Sequence, residues 1–114
     1  MGYFGALPSL ARAPTPEEYA RTIICAPQYV WPCDWALYIV GQRESGFVAD
    51  AENPSGATGW WQIMTPLHCP KLTALAGRQL ELAECREWLH NPVINTQVAY
   101  WLWLDRGWLP WRLQ

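Results

Sequence analysis

Apolar and polar positions fall along this chain in blocks that predict a mostly helical protein with one short β region. Thr15-Pro16-Glu17-Glu18 carries three agreeing helix-start signals: a capping threonine, proline at the first helical position and a glutamate three residues after the cap. This helix should run to about Cys25, ahead of Pro27. A second start stands at Trp31-Pro32-Cys33-Asp34, and residues 35–40 are then apolar on every side, the pattern of a central, buried helix. Gly46 suits the left-handed position that ends it. Residues 47–59 are rich in turn formers and predict a small β-hairpin or a loop with short strands. Residues 59–64 can alternate as a strand with Trp60, Gln62 and Met64 on one face. Pro66 and Pro70 predict another loop, and weak helical pattern covers 71–77 and 80–88. Asn91-Pro92 opens a last helix with Ile94, Val98, Trp101, Leu102 and Asp105 at helical spacing; Gly107 ends it before the aromatic tail Trp108-Leu109-Pro110-Trp111. The fold class expected is α+β, mostly helical, as a single domain over 15–114 behind an extended lead-in over 1–14.

Composition narrows this picture. A chain of 114 residues, about half of them apolar, holds one core and not two. Nine tryptophans are far above ordinary usage; they fill a small core with large rings or line a groove for flat ligands such as sugars. A formal charge of −2 with scattered arginines argues against a nucleic-acid partner, and no apolar run reaches the length of a membrane span. Four cysteines allow three full pairings. Cys25–Cys33 with Cys69–Cys85 is the simplest, and a bridge closing a loop of about 15 residues contributes about 3 kcal/mol in the chain-entropy model. Bridges imply an oxidising location; the alternative is four buried free thiols. No C-x-x-C spacing supports a zinc site, and neither a metal nor a cofactor is expected. Ala11-Arg12-Ala13 has the form of a signal cleavage site, but without a basic leader and with Pro8 interrupting the apolar stretch it is not assigned as one.

Glu44 is the residue whose placement is hardest to explain structurally. Leu37, Val40 and Gly41 stand seven, four and three positions before it, so it shares an apolar helix face. A carboxyl group there loses hydration and holds its proton to higher pH, as a proton donor to a glycosidic oxygen must. The competing account is a solvated glutamate in the last turn, or one paired with Arg43. Gln62, between two apolar neighbours on the expected strand face, either satisfies a backbone group or bonds an N-acetyl or hydroxyl group of a sugar.

Three blocks in register then define a pattern: Glu44-Ser45-Gly46-Phe47, Asn53-Pro54-Ser55-Gly56-Ala57-Thr58-Gly59, and Gln62-Ile63-Met64. Together they resemble the catalytic core of soluble lytic transglycosylases and related lysozyme-like proteins, the goose-type lysozymes among them. Asn91-Pro92 and Asn95 resemble the start of that family's next core helix, and the likeness covers about Pro32 to Trp111. It implies a lysozyme-like fold and an enzyme acting on peptidoglycan glycan strands. It further implies that Glu44 is the single catalytic acid and base, that Ser45 supports its carboxyl group, and that Asn53 lies beside the reacting sugar. Gln62 and Met64 would line the cleft. Trp60-Trp61 departs from the family's usual Leu-Met, and Trp60 is expected on the cleft floor. The family's later A-Y-N-A-G motif is missing; Tyr100 does not replace its tyrosine, which leaves Trp103, Trp108 or Trp111 as candidates for that wall.

Asp50 and Glu52 are the acids that follow Glu44 most closely, at positions where the resembling proteins have variable loop residues. Without a partner carboxylate, the implied chemistry is a lytic transglycosylase reaction between N-acetylmuramic acid and N-acetylglucosamine, ending in a 1,6-anhydro sugar. A hydrolytic muramidase and a non-catalytic, tryptophan-rich glycan-binding module are the alternatives. The location implied is extracellular, secreted or virion-associated, and the weak net charge suggests that a larger assembly provides targeting.

Overall fold

A computed structural model describes residues 13–112; the lead-in expected over 1–14, with the cleavage-like Ala11-Arg12-Ala13, lies almost wholly outside them. Among the described residues the elements run α1 (Pro16–Ile24), α2 (Cys33–Tyr38), a π-helical segment (Ile39–Glu44), β1 (Ala57–Thr58), β2 (Ile63–Met64), α3 (Thr65–Ala76), α4 (Leu82–Leu89), α5 (Pro92–Arg106) and a 3₁₀ turn (Leu109–Trp111). Helix α1 begins as its sequence demands. Thr15 Oγ1 accepts from the Glu18 N–H at 3.1 Å while the Thr15 N–H donates to the Glu18 carboxylate at 2.8 Å. Asn91 caps α5 by accepting from the Val93 and Ile94 N–H groups.

The apolar block 35–40 is not buried all round. Ala36, Leu37, Ile39 and Val40 are, but Trp35 and Tyr38 are about half exposed and stack on one another at 5.2 Å. After Tyr38 the helix widens into a π turn, closed by Ser45 and Gly46 N–H groups that both donate to the Val40 carbonyl. Gly41 permits this end to form, because a Cβ there would sit 2.7 Å from the Phe47 ring that lies over the helix. Gly46 and Phe47 both take left-handed conformations, which turn the chain sharply out of the helix.

The β region is smaller than its pattern suggests. β1 and β2 pair antiparallel with Ala57 opposite Met64 and Thr58 opposite Ile63. Residues 59–62 form the connecting turn, so Trp60, Gln62 and Met64 do not share a strand face. The turn plunges into the core instead. Trp60 packs edge-on against Tyr19 and Phe47. Trp61 enters a second aromatic group, stacked 4.7 Å from Trp31 and tilted against Trp111. The loop expected at Pro66 and Pro70 is also absent. Pro66 fills the first turn of α3 and Pro70 sits inside the helix, where its missing N–H would have faced the first-turn Pro66 carbonyl. Burial of Leu72 and the Cys69–Cys85 bridge to α4 hold the helix despite that loss. Cys25–Cys33 ties the end of α1 to the start of α2, so both cysteine pairs are the local ones.

Asn95 joins these parts. Fully buried on α5, it accepts from the Trp61 N–H at 2.8 Å and donates to the carbonyls of Thr58 (2.9 Å) and Leu89 (2.8 Å). Gly59 leaves room for it, since a Cβ at that position would fall 2.3 Å from both the Asn95 amide and the Leu89 carbonyl. Asn95→Ala strands one buried donor and two carbonyls, so it should lower the unfolding free energy by about 3 kcal/mol or more. Urea denaturation measures this; a loss under about 1 kcal/mol would show that water replaces the amide.

Candidate active site

The π segment delivers Glu44 to the wall of a cleft of about 360 Å³. Asn53, Ser55 and Ala57 from the loop and β1, Gln62 and Met64 from the turn and β2, and Pro110, Trp111 and Arg112 from the chain's 3₁₀ turn line it with Glu44 and Arg43. Glu44 is half-buried, and burial raises its carboxyl pKa above the ordinary glutamate value, with the Arg43 guanidinium acting in the opposite direction. The acid form therefore persists to higher pH than in a solvated glutamate.

The amides in the cleft are tied down by backbone. Asn53 Oδ1 accepts from the Ser55 N–H, the Ser55 hydroxyl and the Ala57 N–H. Its Nδ2 is the end left to meet a ligand. Gln62, itself in a left-handed conformation, is arranged the other way. Its Nε2 donates to the carbonyls of Ala51 and Gly59, leaving Oε1 as a free acceptor. The backbone-satisfying role of Gln62 is thus observed, and it coexists with a position on the cleft. Ser45 Oγ, next in sequence to Glu44, is buried with no hydrogen-bond partner among the described residues.

Other residues singled out in the sequence lie elsewhere. Trp60 is buried at 2 % exposure and is core, because the 59–62 turn points inward. Trp108 is partly buried, stacked on Trp31 and Trp61 and not on the cleft lining. Of Trp103, Trp108 and Trp111, it is Trp111 that the structure places on the cleft lining, with its indole N–H donating to the Trp61 carbonyl at 2.9 Å. Tyr100 is structural, its hydroxyl accepting from the Val30 N–H. Asp50 is exposed and away from the lining, and Glu52 is engaged by His90 at 2.6 Å and Arg86 at 3.7 Å. Two cleft residues escaped the sequence pattern, Arg43 as part of the lining and Arg112; a lone arginine in a chain end carries no periodicity to betray it.

A family model described as the transglycosylase SLT domain matches residues 34–105. The chain belongs to this family. No curated protein and no solved structure matches it. The family's members are lytic transglycosylases, glycosidase-type enzymes that act on peptidoglycan glycan strands outside the cytoplasm, and their domain is lysozyme-like and mostly helical. The SLT match includes Glu44, Asn53 and Gln62 and stops short of the Pro110–Arg112 wall. No helix among the described residues is long and apolar enough to cross a membrane.

The position of Glu44 has a measurable signature. Its pKa is raised in the folded state, so burying it is harmless in acid, and stability is lost as pH rises through that raised value. Glu44→Gln should therefore melt higher than the parent SLT domain at neutral pH, with the gap closing below the ordinary glutamate range. A gap that is constant with pH would contradict the burial argument. Arg43→Gln removes the opposing cation and should move the basic limb of the kcat/KM profile to higher pH.

Proposed function

We propose that this SLT domain cleaves the β-1,4 bond between N-acetylmuramic acid and N-acetylglucosamine as a lytic transglycosylase, with Glu44 as its single acid and base. The observation that carries the proposal is a half-buried carboxyl group on a sugar-sized cleft whose described lining contains no second carboxylate. Two-carboxylate glycosidases need a partner across the scissile bond, either as nucleophile or to activate water. Here Asp50 is off the lining and Glu52 is held by His90. Glu44 protonates the glycosidic oxygen, and the C1–O4 bond breaks to release the 4-hydroxyl of the departing glucosamine. The muramic acetamido oxygen and cleft dipoles stabilise the oxocarbenium-like C1. The resulting Glu44 carboxylate takes the proton of the C6 hydroxyl as O6 bonds to C1, which closes the 1,6-anhydro ring and restores the acid.

Within the cleft, Asn53 Nδ2 donates to the sugar and Gln62 Oε1 accepts from a hydroxyl or acetamido N–H, while Met64 and Trp111 supply apolar surface. Ser45 is the nearest hydroxyl donor in sequence to the Glu44 carboxylate formed after proton transfer. The enzyme works as a secreted or virion-borne protein; the two disulfides support an oxidising location. Delivery by a larger assembly is supported by the chain's weak net charge of −2.

Mass spectrometry of products from purified peptidoglycan tests the reaction, because anhydro products are one water lighter than hydrolytic ones. Anhydro products are expected; reducing-end muramic acid would make the enzyme a hydrolytic muramidase, and intact strands a binding module. Glu44→Gln should lower kcat/KM by about 10²–10⁴-fold. Glu52→Gln and Asp50→Asn should stay within about fivefold of the parent. If either acid variant is as inactive as Glu44→Gln, the single-carboxyl mechanism fails.

A further inference from the structure

The charge of the cleft differs from that of the molecule. The chain is net acidic, at −2. Yet the charged residues on the cleft lining are Arg43, Glu44 and Arg112. With Glu44 carrying its proton, the lining has two positive charges and no negative one.

These two cations are also uncommitted. Arg21, Arg78 and Arg86 are paired with Asp34, Glu84 and Glu52 respectively. Among the described residues neither Arg43 nor Arg112 makes an ion pair. They come from separate elements, Arg43 from the π segment and Arg112 from the end of the 3₁₀ turn. Arg112 holds a left-handed conformation, φ 62°, uncommon for a residue with a side chain. Its N–H donates to the Leu109 carbonyl at 2.8 Å, and neighbouring Trp111 is anchored to Trp61. The backbone is thus fixed at a residue that lines the cleft, beyond the end of the SLT match.

We infer that Arg43 and Arg112 make the cleft a reader of carboxylates carried by the glycan strand, selecting strands with an anionic muramic arm over neutral ones. A guanidinium matches a carboxylate with paired, charge-assisted hydrogen bonds. The sugar that distinguishes peptidoglycan from neutral N-acetylglucosamine polymers bears a lactyl arm. That arm ends in a carboxylate when bare, and in a peptide with its own carboxylates when substituted. Either source supplies the same chemistry. The inference rests on the glycan being the ligand of this cleft, and it assigns which feature of that glycan the two arginines recognise.

Binding to a cleavage-deficient domain separates this idea from the catalytic one. The Glu44→Gln domain, alone and with Arg112→Gln or Arg112→Lys added, is titrated with three solubilised strand preparations: peptide-bearing, peptide-free with bare lactyl arms, and strands with every carboxyl group converted to a neutral amide. Amidation should weaken binding about fivefold or more, and Arg112→Gln should shrink the difference by weakening only the anionic strands, with Arg43 keeping the remainder; Arg112→Lys should retain more of it. Tighter binding of bare strands identifies the lactyl carboxylate, and tighter binding of peptide-bearing ones the peptide. In the active domain the same loss should appear in KM, with the pH profile of kcat unchanged by Arg112→Gln. Equal binding of amidated and unmodified strands, or an equal loss on both with Arg112→Gln, overturns the inference even if the enzyme cuts normally. Retained discrimination in a domain that cuts nothing would support the inference while removing the proposed reaction.

Discussion

The Asn95 side chain is the interaction on which the arrangement of this molecule depends. One amide links the hairpin turn at Thr58 and Trp61 to the end of α4 at Leu89. A buried amide is tolerated only when its donors and acceptor are matched, and here all three bonds are made. The geometry is therefore strongly specified: Gly59 cannot carry a side chain, and Trp61 must enter the core where its N–H meets Asn95. The places of Gln62 and Met64 on the cleft lining follow directly from that entry point. A lysozyme-like domain this small has few contacts with which to fix a β region of four residues, and this one does so through hydrogen bonding to a helix.

Aromatic packing fixes the rest. Trp31, Trp61 and Trp108 stack in sequence, and Trp111 closes the group from the chain's other end. Three of these four indole N–H groups are satisfied locally, by the Ile24 carbonyl for Trp31, Thr96 for Trp61 and the Trp61 carbonyl for Trp111. Large rings let 114 residues close a core. The second aromatic group, Trp60 with Tyr19 and Phe47, braces the π turn from below. Glu44 thus emerges from a segment packed on one side and open to the cleft on the other, which is the origin of its raised pKa.

Much of this was legible in the sequence, wherever local chemistry decides the outcome. The Thr15–Glu18 capping box, the Asn91-Pro92 start, the Gly46 stop and the local cysteine pairs all appear as their residue types dictate. The family blocks around Glu44, Asn53 and Gln62 also converge on one cleft, although 18 positions separate the first from the last. What the pattern missed depends on tertiary contacts. Alternation placed Trp60 with Gln62 and Met64, because period-two patterning cannot distinguish a strand from a turn buried on both sides. Pro70 argued for a loop, but the hydrogen bond it forgoes belongs to the helix's own first turn. Arg112 joined the cleft because a 3₁₀ turn folds the tail back over Trp61, and composition holds no trace of that path.

The two cleft amides illustrate how scaffold and recognition share one side chain. Asn53 commits its oxygen to the loop and Gln62 its nitrogen to the turn, so each is held in a single rotamer before any sugar arrives. A freely rotating amide would forfeit about 0.5–1.5 kcal/mol of rotational freedom on docking; these two surrender it during folding. The free ends are opposite in sense, a donor from one and an acceptor from the other, so the empty trench already carries a fixed polarity. A ligand entering with its own donor and acceptor reversed would meet like against like.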